Sequence, residues 1–169
     1  MAGKRHHKAH SHGHGKLFLA TSENGFEVEI KLPGVDIVGF EHQPHSKEEK
    51  RKVQSAVEFF KNSKSNVVLS QASGCSPEGE AKVKTSLAEN RKHNHGHQHQ
   101  KSKSHKSEHA EFQISYKFKC SKIVELKFLK LLIFEKYSRL ESIKAEAVTE
   151  TGQFSATLSR SSSLFLLDR

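Results

Sequence analysis

The stretch "KLFLATSENGFEVEIKLPG", residues 16–34, decides the fold. Phe26, Val28, Ile30 and Leu32 alternate with Glu27, Glu29 and Lys31, the period of a strand with one buried face. Asn24-Gly25, between two such runs, is a strong two-residue turn signal. The stretch therefore reads as a β-hairpin in which Glu23 pairs with Phe26 and Pro33-Gly34 ends the second strand. Extended outward, that register sets His14 across from Val35 and His10 across from Gly39, and it returns Glu41 and His42 toward the N-terminus.

Working outward, "SKEEKRKVQSAVEFFK", residues 46–61, reads as a helix. Ser46 with Glu49 three residues later is a capping-box signature. Val53, Ala56, Val57 and Phe60 then follow the i, i+3, i+4, i+7 spacing of a core-facing stripe. "NVVLSQASGCSPEGEAKVKTSL" (66–87) suggests two further strands around a Ser/Gly/Pro turn. In "AEFQISYKFKCSK" (110–122) Phe112, Ile114, Tyr116, Phe118 and Cys120 share one face. "IVELKFLKLLIFEKY" (123–137) suits a helix through Val124, Phe128, Leu131 and Leu132 as well as a strand. "SIKAEAVTETGQFSATLS" (142–159) returns to β pattern around Thr151-Gly152, and "SLFLL" (163–167) is a short final strand.

A weaker order runs through these segments. "HGKLFLATSE", "VDIVGFEHQP", "NVVLSQASGC" and "GEAKVKTSL" recur in sequence as "HAEFQISYKF", "LKLLIFEKYS", "SIKAEAVTET" and "GQFSATLS". This reads as a duplicated four-strand unit and tips "FLKLLIF" toward strand. The expected class is α+β, predominantly antiparallel β: two small duplicated β-rich units, with one helix, about 46–61, inserted in the first. The expected division is a His-rich N-terminal tail (1–15), a first β-rich unit with the helix (16–89), a His/Lys-rich metal-binding linker (90–109) and a second β-rich unit (110–169).

The net charge of +9 is concentrated in two places. Residues 1–16 carry +4, and residues 90–109 carry another +4. A nucleic-acid binder more often spreads its lysines and arginines over a folded face with exposed aromatics among them, so no nucleic-acid partner is expected. No apolar stretch reaches the roughly 18–20 residues of a membrane span, so no membrane insertion is expected. The opening "MAGKRHHK" has no apolar core of a secretion signal; the chain is then cytoplasmic if native at full length, or the mature part of an exported protein. Cys75 and Cys120 are far apart and form no CxxC, which argues against a structural zinc finger. Spacing leaves buried thiols and a disulfide equally open.

The chemistry lies in the histidines. "HHKAHSHGHG" (6–15) and "KHNHGHQHQKSKSHKSEH" (92–109) are His-rich, and without apolar periodicity the second cannot offset the ordering cost of about 1–2 kcal/mol per residue by burial. It is expected to be disordered without a ligand. His93, His95, His97 and His99 alternate along the chain, as do His10, His12 and His14. Imidazole is a common ligand for zinc, copper and nickel, and Gly96 permits the bend that a tetrahedral zinc shell requires. The candidate metal ligands are His10, His12, His14, His42, His93, His95, His97, His99, His105 and His109, including a site joining His12 or His14 to Glu41, His42 or His109. The neighbouring lysines oppose a divalent cation, so weak, exchangeable binding is expected. A soluble spacer and a polybasic patch for anionic partners are the competing readings. There is no Gly-rich phosphate loop, and "SRSSSLF" has no partnering histidine at a recognisable spacing, so an enzyme is not expected.

"AHSHGHGKLFLA", "VGFEHQP", the central histidine-rich insert, "FQISYKFKC", "LIFEKY" and "TGQFSATLS" together resemble the ZrgA-like family of bacterial periplasmic zinc-binding proteins. The resemblance implies a soluble periplasmic protein whose His-rich segment binds Zn2+; together with the histidine tracts it makes a non-enzymatic zinc carrier, chaperone or buffer the leading expectation, and a store for Ni2+ or Cu2+ is an alternative. The resemblance also implies support of zinc uptake beside a zinc ABC transporter or its solute-binding protein, and it favours a Cys75–Cys120 disulfide. A monomer is expected. The family commonly has a proline where "IFEKYSRL" carries Ser138, a local departure.

Overall fold

The computed structural model describes residues 12–88 and 110–168. The candidate ligands His10, His93, His95, His97, His99, His105 and His109 lie outside the described residues, as does the whole of the expected linker.

The opening stretch forms the expected hairpin, β1 (His14–Ser22) and β2 (Gly25–Pro33). Its register corrects the expected one. Ser22 pairs with Gly25 and Thr21 with Phe26, so Glu23 and Asn24 make the turn and Gly25 opens β2. The reason is a close approach from the next strand: a Cβ on Gly25 would stand 2.1 Å from the carbonyl oxygen of Phe118. Glycine is needed inside the sheet, not at the second turn position. Because the shift is two residues, each side chain keeps its face.

After Pro33 the chain turns into a short helix, α1 (Gly34–Val38), then α2 (Lys47–Lys61) and α3 (Ser63–Asn66). The capping box of α2 is complete: Ser46 Oγ accepts the Glu49 N–H, and the Glu49 carboxylate accepts the Ser46 N–H. Three short strands follow, β3 (Val67–Leu69), β4 (Cys75–Pro77) and β5 (Lys82–Thr85). Past residue 109 come β6 (Glu111–Cys120), β7 (Phe128–Leu131), α4 (Ile133–Lys136), β8 (Ser142–Thr149), β9 (Gly152–Ser159) and β10 (Leu164–Leu166). "FLKLLIF" thus begins as strand and ends as a helical turn.

The main sheet runs β4-β6-β2-β1-β8-β9, with β5 also on β6; a smaller sheet runs β10-β7-β3. Its pairs are antiparallel except β1 with β8, which is parallel. The protein is therefore β-rich and antiparallel-dominated, as expected. Strands from before and after residues 90–109 interleave in one sheet, since β2 pairs with β6 and β1 with β8. Of the segments matched by the sequence recurrence, β1 and β6 are both main-sheet strands, as are β5 and β9. However, Gly34–Val38 is helical opposite a strand-bearing segment, and Val67–Leu69 lies in the small sheet while Ser142–Thr149 lies in the main one.

One face of the main sheet is buried through Leu17, Leu19, Val28, Ile30, Leu32, Phe112, Ile114 and Tyr116. Val53, Ala56 and Phe60 of α2, and Leu129, Leu131 and Phe165 of the small sheet, belong to the same core. The Tyr116 hydroxyl donates to the Phe60 carbonyl at 2.8 Å and accepts from Asn66, which pins the end of α2 to the sheet; burial pushes that phenol well up from its ordinary value. Cys75 and Cys120 face each other across β4 and β6 and form a disulfide. Among the described residues no helix is long and apolar enough to cross a membrane.

Candidate metal centre

Ten residues, Gly34–Gln43, gather three distant points of the chain. The buried Asp36 carboxylate accepts the Gly13 N–H at 2.7 Å. The Gly34 N–H donates to the Ala110 carbonyl at 2.6 Å, and the Gln43 Nε2 donates to the Ser86 carbonyl at 2.8 Å. Gly13 lies within the first histidine tract, between His12 and His14, while Ser86 and Ala110 bracket the second. Both tracts are therefore rooted at the same corner of the fold.

Gly13 is held on both sides. Its carbonyl accepts the N–H groups of Glu141 and Ser142 at 2.8 and 3.0 Å. Its φ of +81° lies in the left-handed region, which glycine adopts at no steric cost. These bonds fasten the two histidines beside it. His14 Nδ1 meets the Ser142 hydroxyl at 2.7 Å, and His12 Nδ1 stands 3.7 Å from Glu41 Oε1. Asp36 carries a carboxyl raised above its ordinary value, chiefly by burial; the Gly13 hydrogen bond and the nearby His12 pull the other way, and Glu141 adds to the rise.

A second histidine–carboxylate pair stands on the loop into α2. His42 Nε2 lies 3.6 Å from Glu49 Oε1, and His42 Nδ1 lies 2.9 Å from the Gln43 carbonyl. A carbonyl oxygen only accepts, so the Nδ1 position carries the proton. The ring is stacked between Phe40, at 5.0 Å, and His45, at 5.4 Å. Glu49 Oε2 takes the backbone N–H groups of His45 and Ser46 at 2.8 and 3.1 Å. Those bonds are the main reason that the Glu49 carboxyl is held below its ordinary value, with His42 and His45 adding to the effect.

Two ligands bound to one tetrahedral zinc at about 2.0–2.2 Å stand roughly 3.3–3.6 Å apart. Both histidine–carboxylate separations are at or slightly beyond that range. Among the described residues, no three histidine, cysteine, aspartate or glutamate side chains stand arranged to hold an ion. The expected combination of His12 with Glu41 is brought together; His14 and His42 take other partners. His45 and Glu49 were not among the expected ligands. Glu49 is legible from sequence as a capping residue, and only the path of the loop turns its second oxygen toward His42.

A search of curated proteins finds no match. The family model described as ZrgA family zinc uptake protein matches residues 9–167, a span that takes in both sheets, the corner at Gly34–Gln43 and the second histidine tract. The chain belongs to the ZrgA family of zinc uptake proteins.

Proposed function

We propose that the protein captures Zn2+ through the histidines of its two tracts, holds it weakly and releases it to the uptake machinery, without catalysing a reaction. The single observation that carries the reading is the common root of the tracts: Gly13, Ser86 and Ala110 are all tied to Gly34–Gln43. Tethering ligands at one place raises their effective concentration toward a shared ion. His12 and Glu41 stand at that root as a ready pair of donors. The lysines among the tract histidines oppose a divalent charge and favour exchange over sealing. A periplasmic setting agrees with the Cys75–Cys120 disulfide, because such bonds persist in oxidising compartments. There the receiver is a zinc ABC transporter or its solute-binding protein.

Calorimetry on tag-free protein tests this. Zinc uptake is expected at pH 7.5 and is expected to weaken as pH falls through about 6.5, because neutral imidazole is the binding form. Deleting residues 92–106 is expected to remove most of the bound zinc. No heat on adding zinc at pH 7.5, or uptake unaffected by the deletion, overturns the reading. A polybasic patch for anionic partners predicts the opposite pH trend and a steep loss of binding with salt.

A further inference from the structure

We infer that β9, the free edge of the main sheet, pairs antiparallel with β9 of a second copy of this chain and joins the two main sheets into one. The inference does not depend on the zinc-capture reading. It puts a two-fold dimer in place of the single chain expected from the sequence.

An edge strand leaves a row of backbone N–H and C=O groups unpaired, and proteins usually blunt it by shortness, charge, proline or a bulge. The other sheet edges are blunted in these ways. On the far side of the main sheet β4 has three residues and ends at Pro77, while β5 carries Lys82 and Lys84. In the small sheet β3 and β10 have three residues each. β9 has none of these devices. Its eight residues, "GQFSATLS", hold no charge and no proline, and they pair one-to-one with β8 without a bulge. The β8–β9 hairpin closes on Thr149 and Gly152 across a two-residue turn, so its bonds to β8 fall on Gly152 and every second residue after it. The backbone groups of Gln153, Ser155 and Thr157 are therefore directed at the open edge. Among the described residues those groups have no backbone partner.

The ends of the strand identify the occupant. Glu150 precedes β9 and Arg160 follows it; both are exposed, and neither has an ion-pair partner among the described residues. Two copies of β9 laid antiparallel about a two-fold axis at Ser155 set Gln153 of each opposite Thr157 of the other. Every one of these facing pairs exchanges both N–H···O bonds. The same register sets Glu150 of each copy opposite Arg160 of the other, an attractive cross-strand pair at both ends of the seam. A slip of two residues keeps backbone bonds but loses both charge pairs, so the register is defined. Like charges facing each other are destabilising, and β9 brings none to the seam. The nearest charges, Lys144 and Glu146, lie one strand back and pair with each other at 2.9 Å. Phe154 and Ala156 are half-buried on the core side; across the seam they face each other and cover one another. His14 pairs with Ser142 and Ser142 with Ser159, so the histidine corner lies at the Ser159 end of the edge. Antiparallel pairing then carries the two corners at opposite ends of the seam, where neither obstructs the other.

The test is analytical ultracentrifugation of the full-length, tag-free protein across a range of concentrations, with a chelator present so that zinc cannot bridge two chains. The mass is expected to rise from that of one chain to that of two. Glu150→Arg and Arg160→Glu each turn two attractive cross-strand pairs into repulsive ones and should each weaken the dimer by about tenfold. The double variant restores both pairs with their signs exchanged and should recover the dimer. Ser155→Pro removes the N–H on the axis, which the sheet of one chain does not use; it should abolish the dimer while the single chain stays folded. In hydrogen exchange the Gln153, Ser155 and Thr157 amides should gain protection as concentration rises. A wild-type chain that keeps the mass of one chain at millimolar concentration overturns the inference. So does a dimer that appears only when zinc replaces the chelator, or one that both single charge variants leave unchanged.

Discussion

Replacing Asp36 with alanine separates a histidine tract that is fastened to the fold from one that merely lies beside it. The buried carboxylate takes the Gly13 N–H at 2.7 Å. A hydrogen bond to a charged acceptor contributes about 1.5–3 kcal/mol. The raised carboxyl of Asp36 reports an opposing cost, since burial disfavours its ionised form, and alanine removes that cost too. The net loss is then about 1–2 kcal/mol, or roughly a 5- to 30-fold change in an opening equilibrium. Gly13 immediately precedes β1 and keeps its bonds from Glu141 and Ser142, so the loss should appear as local opening and not as unfolding of the sheet. Hydrogen exchange is the assay. Protection at the Gly13 amide should fall by that factor, with the urea midpoint little changed. Asp36→Asn keeps an acceptor in place and should retain protection. It should also remove one pH dependence: a carboxyl raised in the folded state stabilises fully below its unfolded value of about 3.9 and loses that contribution as pH rises through the folded value. The asparagine variant should be flat across that window where the wild type declines. Unchanged Gly13 protection in Asp36→Ala would refute the anchoring role.

Reducing the Cys75–Cys120 disulfide, or replacing both cysteines with serine, should destabilise the fold by about 4 kcal/mol in the chain-entropy model for a sequence separation of 45; urea midpoints that coincide with and without reductant would contradict this. Gly25→Ala should cost about 3 kcal/mol, the upper end of overpacking losses. Its new Cβ would stand 2.1 Å from a backbone oxygen, that of Phe118, which cannot swing away. A melting temperature equal to that of the wild type would contradict the close approach of β2 and β6.

Much of the framework is legible in local pattern. Alternation in residues 26–32 and 112–120 marks strands whose buried face the fold reproduces residue by residue, because side chains on a strand alternate with period two whatever the strand pairs with. Ser46 and Glu49 likewise announce the start of α2, since a capping box closes within four residues. The histidine spacing, too, is complete in the linear chain. Register was less secure: Asn24-Gly25 looks like a turn on its own, and only the nearby Phe118 carbonyl explains why Gly25 belongs inside β2. The ambiguous "FLKLLIF" was settled in the same way, by what lies opposite it. Leu129 pairs with both β3 and β10 and Leu131 with β3, while Ile133 starts a helical turn.

The alternation of apolar residues, the cap of α2 and the presence of two histidine tracts are properties of neighbours in sequence, and the sequence alone determined them. The convergence of Gly13, Ser86 and Ala110 on Gly34–Gln43, and the meeting of His42 with Glu49, were decided by tertiary structure. Gly13 bonds to Asp36, Ser86 to Gln43 and Ala110 to Gly34 across separations that carry no periodic signal. Such contacts exist because burying one sheet face fixes where each strand ends, and the polar groups at those ends then take the partners that the packing has brought within reach.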